Sequence, residues 1–229
     1  ASSLVGSEMC IRDRLREKRT EITKERIEQA VAKYEDGCRK SGMACNIEQE
    51  TGDPFELMIA HARYNDITIF GLRSLFDYGF TPEPRDALIR LVSQGVRPII
   101  AVSPQFREIR RVLVAYNGSM ESAKAMRRYV QLRPWADASI QIVFFGDENE
   151  RAQGIIEDAR GYCRAHGFSV DTERVKGSAK NGLVEYAQKK DFDLIVMGNS
   201  NRSILARQIV GDTVLNTVQK ADRPLFLAQ

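Results

Sequence analysis

Little in this chain is suited to metal or redox chemistry. Its 229 residues include two histidines, four cysteines and one tryptophan. The cysteines have neither an even disulfide framework nor the paired spacing of a zinc site, which predicts reduced thiols, a cytoplasmic location and no metal. Charge of one sign is equally scarce. With 34 basic and 31 acidic residues the net charge is +3, which gives no basic footprint for nucleic acid. No apolar run approaches the roughly 20 residues that cross a bilayer, so no membrane is expected as a partner either. Nor is there a strained Gly-x-Ser-x-Gly elbow. Ser119 follows Asn117-Gly118 and reads as a helix cap, while His61 and His166 fall in predicted helices without ligand-spaced neighbours. These absences predict a protein that is not an enzyme.

What the chain does have is internal repetition. Cys38 to Gly52, CRKSGMACNIEQETG, aligns with Cys163 to Gly177, CRAHGFSVDTERVKG. NDITIFG ending at Gly71 aligns with DFDLIVMG ending at Gly198, and the segment through Pro98 with the segment through Pro224. The offsets, 163 − 38 = 125, 198 − 71 = 127 and 224 − 98 = 126, are those of a domain-sized duplication. Two such copies need about 250 residues, so the first is expected to lack its front end, a β-α-β unit. The opening residues also look foreign: LVGSEMCIRDR, Leu4 to Arg14, resembles a translated sequencing-library adapter. The expected organisation is an adapter-derived segment over 1–14, an incomplete first copy over 15–104 and a complete second copy over 107–229.

Strands and helices alternate in the second copy. Strands are predicted over Arg110 to Tyr116, Ile140 to Phe145, Ser169 to Val175, Leu194 to Gly198 and Leu225 to Ala228. Helices are predicted after Ser119, over Glu150 to Ala165, Lys180 to Lys190 and Asp212 to Lys220. This is the pattern of an α/β fold with a parallel sheet covered on both faces. In the first copy helices are predicted over about Glu21 to Lys40, Pro54 to Ala62 and Asp86 to Ser93. Its predicted strands are Ala44 to Glu48, Ile67 to Phe70 and Ile99 to Val102.

The opening VLVAYNGSMESAKAM, the glycine-initiated loop after Leu194 to Gly198, and the closing strand begun by Pro224 resemble a universal stress protein domain. The resemblance extends from about Thr20 to Gln229 and implies a tandem protein of doubly wound parallel five-stranded sheets, order 3-2-1-4-5, with helices on both faces. It also implies pairing of the two copies, or a homodimer, through the last strand. Nucleotide-binding members carry Gly, two residues, Gly, nine residues, Gly and then Ser or Thr after the fourth strand, where loop amides and a helix N-terminus cradle phosphates. Here those places hold Gly198, Asn201, Gly211 and Asp212, followed by Thr213, and Asn117 stands where relatives carry Asp at the end of strand one. A carboxylate within about 4 Å of a phosphate costs roughly 1 to 4 kcal/mol, and Asp212 equally suits a helix start. The expectation is therefore a stress-response binding or regulatory module with a degenerate nucleotide site and no cofactor. The alternative is an ATP-binding stress protein with slow hydrolysis that uses Asn117, Gly198, Gly211 and Thr213. The loop from Asn199 to Val210 is expected to be the least ordered part of the second copy.

Overall fold

The computed structural model describes residues 24–71, 91, 95–96, 98–103, 105–147, 150–198 and 211–228. Compactness divides the chain into two units, Ala1–Thr51 and Gly52–Gln229. Strands on both sides of the expected 104–107 boundary lie in the second unit.

In the first unit the described chain is helix α1, residues 24–40, followed by residues 43–51 without regular structure. The helix ends in a Schellman cap. Gly42, at φ 65°, reverses the chain, Met43 N–H donates to Cys38 O at 3.0 Å and Gly42 N–H donates to Arg39 O at 3.3 Å. Asp36 accepts from Arg39 and Lys40 one turn on, at 2.5 and 2.6 Å, and these cations hold its carboxyl below its usual range. The predicted strand Ala44 to Glu48 does not form. It offers only Cys45 and Ile47 as interior apolar positions, and no strand among the described residues pairs with it to form a ladder.

The second unit is built on one seven-stranded sheet, two strands more than the five expected of a single copy. Its strands are β1 (Thr68–Gly71), β2 (Ile99–Val102), β3 (Arg111–Ala115), β4 (Ser139–Phe145), β5 (Val170–Val175), β6 (Leu194–Gly198) and β7 (Leu225–Ala228). They lie in the order β1-β2-β7-β6-β3-β4-β5, with every neighbouring pair parallel except β2–β7. The strands that close the two aligned segments thus lie side by side and antiparallel. Ile100 stands opposite Phe226, with Ile99 opposite Leu227 and Ala101 opposite Leu225.

Among the described residues this unit has helices α2 (Pro54–Ala62), α3 (Met120–Leu132), α4 (Glu150–Ala165), α5 (Ala179–Lys189) and α6 (Asp212–Lys220). Alternation along each strand sends side chains to two cores. Val112 and Val114 join Ala125, Met126, Tyr129 and Val130 of α3 and Ala159 and Cys163 of α4 on one face. Leu113, Ile195, Met197 and Leu225 join Phe55 of α2, Leu183 and Ala187 of α5, and Val214 and Val218 of α6 on the other. The buried stripe of α3, Ser122, Ala125, Met126, Tyr129 and Val130, sits at i, i+3, i+4, i+7 and i+8, which is why that helix lies flat on the sheet. Each fully buried Val or Leu contributes about 1.5 to 3 kcal/mol. Interior burial pushes the Cys163 thiol up to about 12. Helix α4 ends as α1 does: Gly167 is at φ 84°, Phe168 N–H donates to Cys163 O at 3.2 Å and Gly167 N–H donates to Arg164 O at 2.9 Å. His166 lies in that turn rather than in the helix where it was predicted.

Candidate functional site

Strand β3 has β6 on one side and β4 on the other, so the chain leaves neighbouring strands in opposite directions at their carboxyl ends. In open α/β sheets that divergence opens a crevice suited to ligands. A cleft of about 140 Å³ lies there, bordered by Ala115, Tyr116 and Asn117 beyond β3, Val143 and Phe145 of β4, and Met197 and Gly198 of β6. Its remaining border comes from helix starts: Ser119 and Ser122 of α3, Ala179 of α5 and Thr213 of α6. Three helix N-termini therefore converge on one cleft, and their amide dipoles make it favourable to negative charge.

The β3–α3 turn is fastened by its own side chains. Asn117 Oδ1 accepts from Ser119 N–H at 3.0 Å, and Ser119 Oγ accepts from Ser122 N–H at 3.2 Å. Buried Ser122 donates its hydroxyl to Ser119 O at 2.9 Å. Gly118, at φ 74°, has Ile155 so near that an added Cβ would fall 2.7 Å from its Cγ2. Tyr116, half-buried at the rim, has its phenol pushed upward by that burial. Gly198 is required sterically: a Cβ there would lie 2.3 Å from Glu121 O and 2.7 Å from Ser122 N. Strand β6 thus runs its backbone against the first turn of α3.

Gly211 is the N-cap of α6 and supplies no side-chain cap. Asp212 opens the helix and pairs with Lys180 Nζ of α5 at 3.0 Å. Asn216, one turn further along α6, donates to Lys180 O. Helices α5 and α6 are thereby joined at their N-terminal ends by an ion pair and an amide hydrogen bond.

Of the six candidate residues, the structure brings Asn117, Gly198 and Thr213 to the cleft wall, with Gly211 and Asp212 beside Thr213 at the start of α6. Asn201 and the rest of the loop over 199–210 lie outside the described residues. Nothing in the motif spacing points to Lys180, 32 residues before Asp212. Its placement follows only from the topology, because parallel strands collect the N-termini of their crossover helices at one end. The packing role of Gly198 was also missed, since a glycine that a helix backbone touches looks the same in sequence as one that a phosphate touches.

Residues 137–229 match the Universal stress protein family. A universal stress protein from Synechocystis is 26% identical over 166 residues, which are 70% of this chain and 57% of that protein. The chain thus spans little more than half the length of that relative. A universal stress protein from Methanocaldococcus jannaschii is 22% identical over 139 residues, 52% of this chain and 82% of that protein. The crystal structure of a universal stress protein from Archaeoglobus fulgidus has a like fold, with a TM-score of 0.67 and 15% identity over 90% of this chain and 76% of that one. Residues 137–229 therefore form a universal stress protein family domain, set in a mostly parallel α/β sheet.

Proposed function

We propose that this chain is a tandem universal stress protein, a non-catalytic binding or regulatory module whose nucleotide site is degenerate. In this reading β3 to β7 make one five-stranded module over 107–229, and β1 and β2 belong to a second copy within 15–104. The ion pair between Asp212 and Lys180 is the observation that carries the proposal. A carboxylate stands in the first turn of α6, where relatives of this pattern carry a hydroxyl facing phosphate, and a phosphate brought within about 4 Å would meet repulsion of roughly 1 to 4 kcal/mol. Asn117 supports the same reading, since its side-chain oxygen already accepts a hydrogen bond inside the turn. Three unpaired thiols, Cys38, Cys45 and Cys163, fit a cytoplasmic location.

A second reading, an ATP-binding protein with slow hydrolysis, draws support from the cleft itself and its three helix N-termini. Thermal unfolding with added ATP and magnesium separates the two. A ligand at a hundred times its dissociation constant adds about 2.7 kcal/mol of stability. The degenerate reading expects no shift of the melting temperature at millimolar ATP, and a saturable rise would replace it with the second.

A further inference from the structure

Two cysteines flank the turn that ends α1. Gly42 reverses the chain and Met43 N–H returns to Cys38 O at 3.0 Å, so Cys45 stands only two residues beyond the point of return. There the Cys45 thiol donates a hydrogen bond to the Cys38 sulfur, and the Tyr34 phenol, one helical turn before Cys38, donates to the same sulfur. These bonds are the first cause that holds both donors above their usual ranges. Cys38 is buried and Cys45 is exposed. Residues 43–51 have no regular structure, so no ladder register opposes the small shift that brings two touching thiols to the S–S length of about 2.05 Å.

The second copy of the motif repeats the juxtaposition without the second sulfur. Cys163 and Val170 align with Cys38 and Cys45. They flank an equivalent turn, with Phe168 N–H on Cys163 O at 3.2 Å, and both join one core. Nearness of these two positions therefore belongs to the motif, and a thiol pair arises where cysteine takes the place of valine.

We propose that Cys38 and Cys45 are an oxidation site, forming a reversible disulfide when a peroxide reaches the exposed Cys45. The Cys45 sulfur attacks one oxygen of hydrogen peroxide: an S–O bond forms, the O–O bond breaks, and the departing hydroxide takes the thiol proton and leaves as water. Cys45 is thereby oxidised by two electrons to a sulfenic acid, and the peroxide is reduced. The Cys38 sulfur, already in contact, then attacks the Cys45 sulfur. An S–S bond forms, the S–O bond breaks, and the leaving hydroxide takes the Cys38 proton as a second water. One peroxide and two thiols give one disulfide and two waters, and a dithiol reductant restores both thiols by exchange.

The test treats the full chain with hydrogen peroxide, blocks the remaining thiols and maps tryptic peptides by mass spectrometry. Trypsin cuts after Lys33, Arg39, Lys40 and Arg63, so the disulfide joins peptide 34–39 to peptide 41–63, and dithiothreitol separates them. This linked pair should form at least about tenfold faster than any oxidation product of buried Cys163. In Cys38→Ser, Cys45 should instead pass to sulfinic acid, because no sulfur stands by to capture the sulfenic acid. In concentrated guanidinium the turn is lost, and the share of Cys45 that ends linked to Cys38 should fall at least about threefold. The proposal is overturned if Cys45 of the unaltered chain ends as sulfinic acid, or links to Cys10 or to a second chain in place of Cys38. It is also overturned if the linked share is the same in the folded and unfolded chain.

Discussion

The Cys-Arg-x-x-Gly motif occurs twice, at Cys38 and at Cys163, and the two copies agree up to one point and then part. Both close a helix with the same pair of bonds, from the residue after glycine to the cysteine carbonyl and from the glycine to the arginine carbonyl. Both are followed by a glycine and a capped helix: Asp53 accepts from Phe55 N–H at 2.8 Å, and Ser178 from Lys180 N–H at 3.3 Å. Between cap and cap, however, residues 43–51 stay irregular, whereas Val170–Val175 forms β5 against β4. Caps are satisfied within a few residues, so they travel with the sequence. A strand is satisfied by its neighbour, so it forms only where one stands. The same lesson separates β1 from β6, equal in register and unequal in burial, and the described cleft lies in the half where β3 stands beside β6.

The largest effect expected from breaking that comparison is at Gly198. Alanine there would put Cβ 2.3 Å from a backbone oxygen that cannot swing away, so Gly198→Ala should cost about 3 kcal/mol or more in denaturant unfolding. A loss under about 1 kcal/mol would mean that β6 and α3 do not touch as described.

Next come the counterparts Val196 and Ile69. Val196→Ala removes part of a fully buried side chain and should cost about 1.5 to 3 kcal/mol, while Ile69→Ala, at an exposed site, should cost under about 0.5 kcal/mol. Equal losses by chemical denaturation would erase the difference between the two strands.

The two caps should instead respond alike. At Gly42 an added Cβ meets nothing, and at Gly167 it meets only Arg133 at 3.9 Å, so what remains in both is the left-handed backbone. Gly42→Ala and Gly167→Ala should each cost about 1 to 2 kcal/mol. That loss reads as roughly 5- to 30-fold faster exchange at Met43 and Phe168. A large effect at one and none at the other would separate the two motifs.

These contrasts also mark what the sequence could tell. Helices Pro54–Ala62, Glu150–Ala165 and Asp212–Lys220 and strands Ile99–Val102, Leu194–Gly198 and Leu225–Ala228 form where apolar periodicity and capping residues predict them. Periodicity alone could not join the strands into seven, because pairing across the β2–β7 seam is a long-range choice, which the family resemblance and not the apolar pattern implied. The site was half legible. Asn117, Gly198 and Thr213 could be named from the spacing of one motif, but the partner of Asp212 could not, because Lys180 reaches it from a different helix.

In the proposed function the Asp212 carboxylate, paired with Lys180, keeps phosphate from the start of α6. Calorimetric titration of ATP with magnesium into the unaltered chain and into Asp212→Ser tests it directly. The pair is solvent-exposed, so the substitution should change stability by less than about 1 kcal/mol. Removing the like charge should raise ATP affinity at least about tenfold, equivalent to about 1.4 kcal/mol. Equal behaviour of the two proteins, whether both bind or neither does, would rule out repulsion at Asp212.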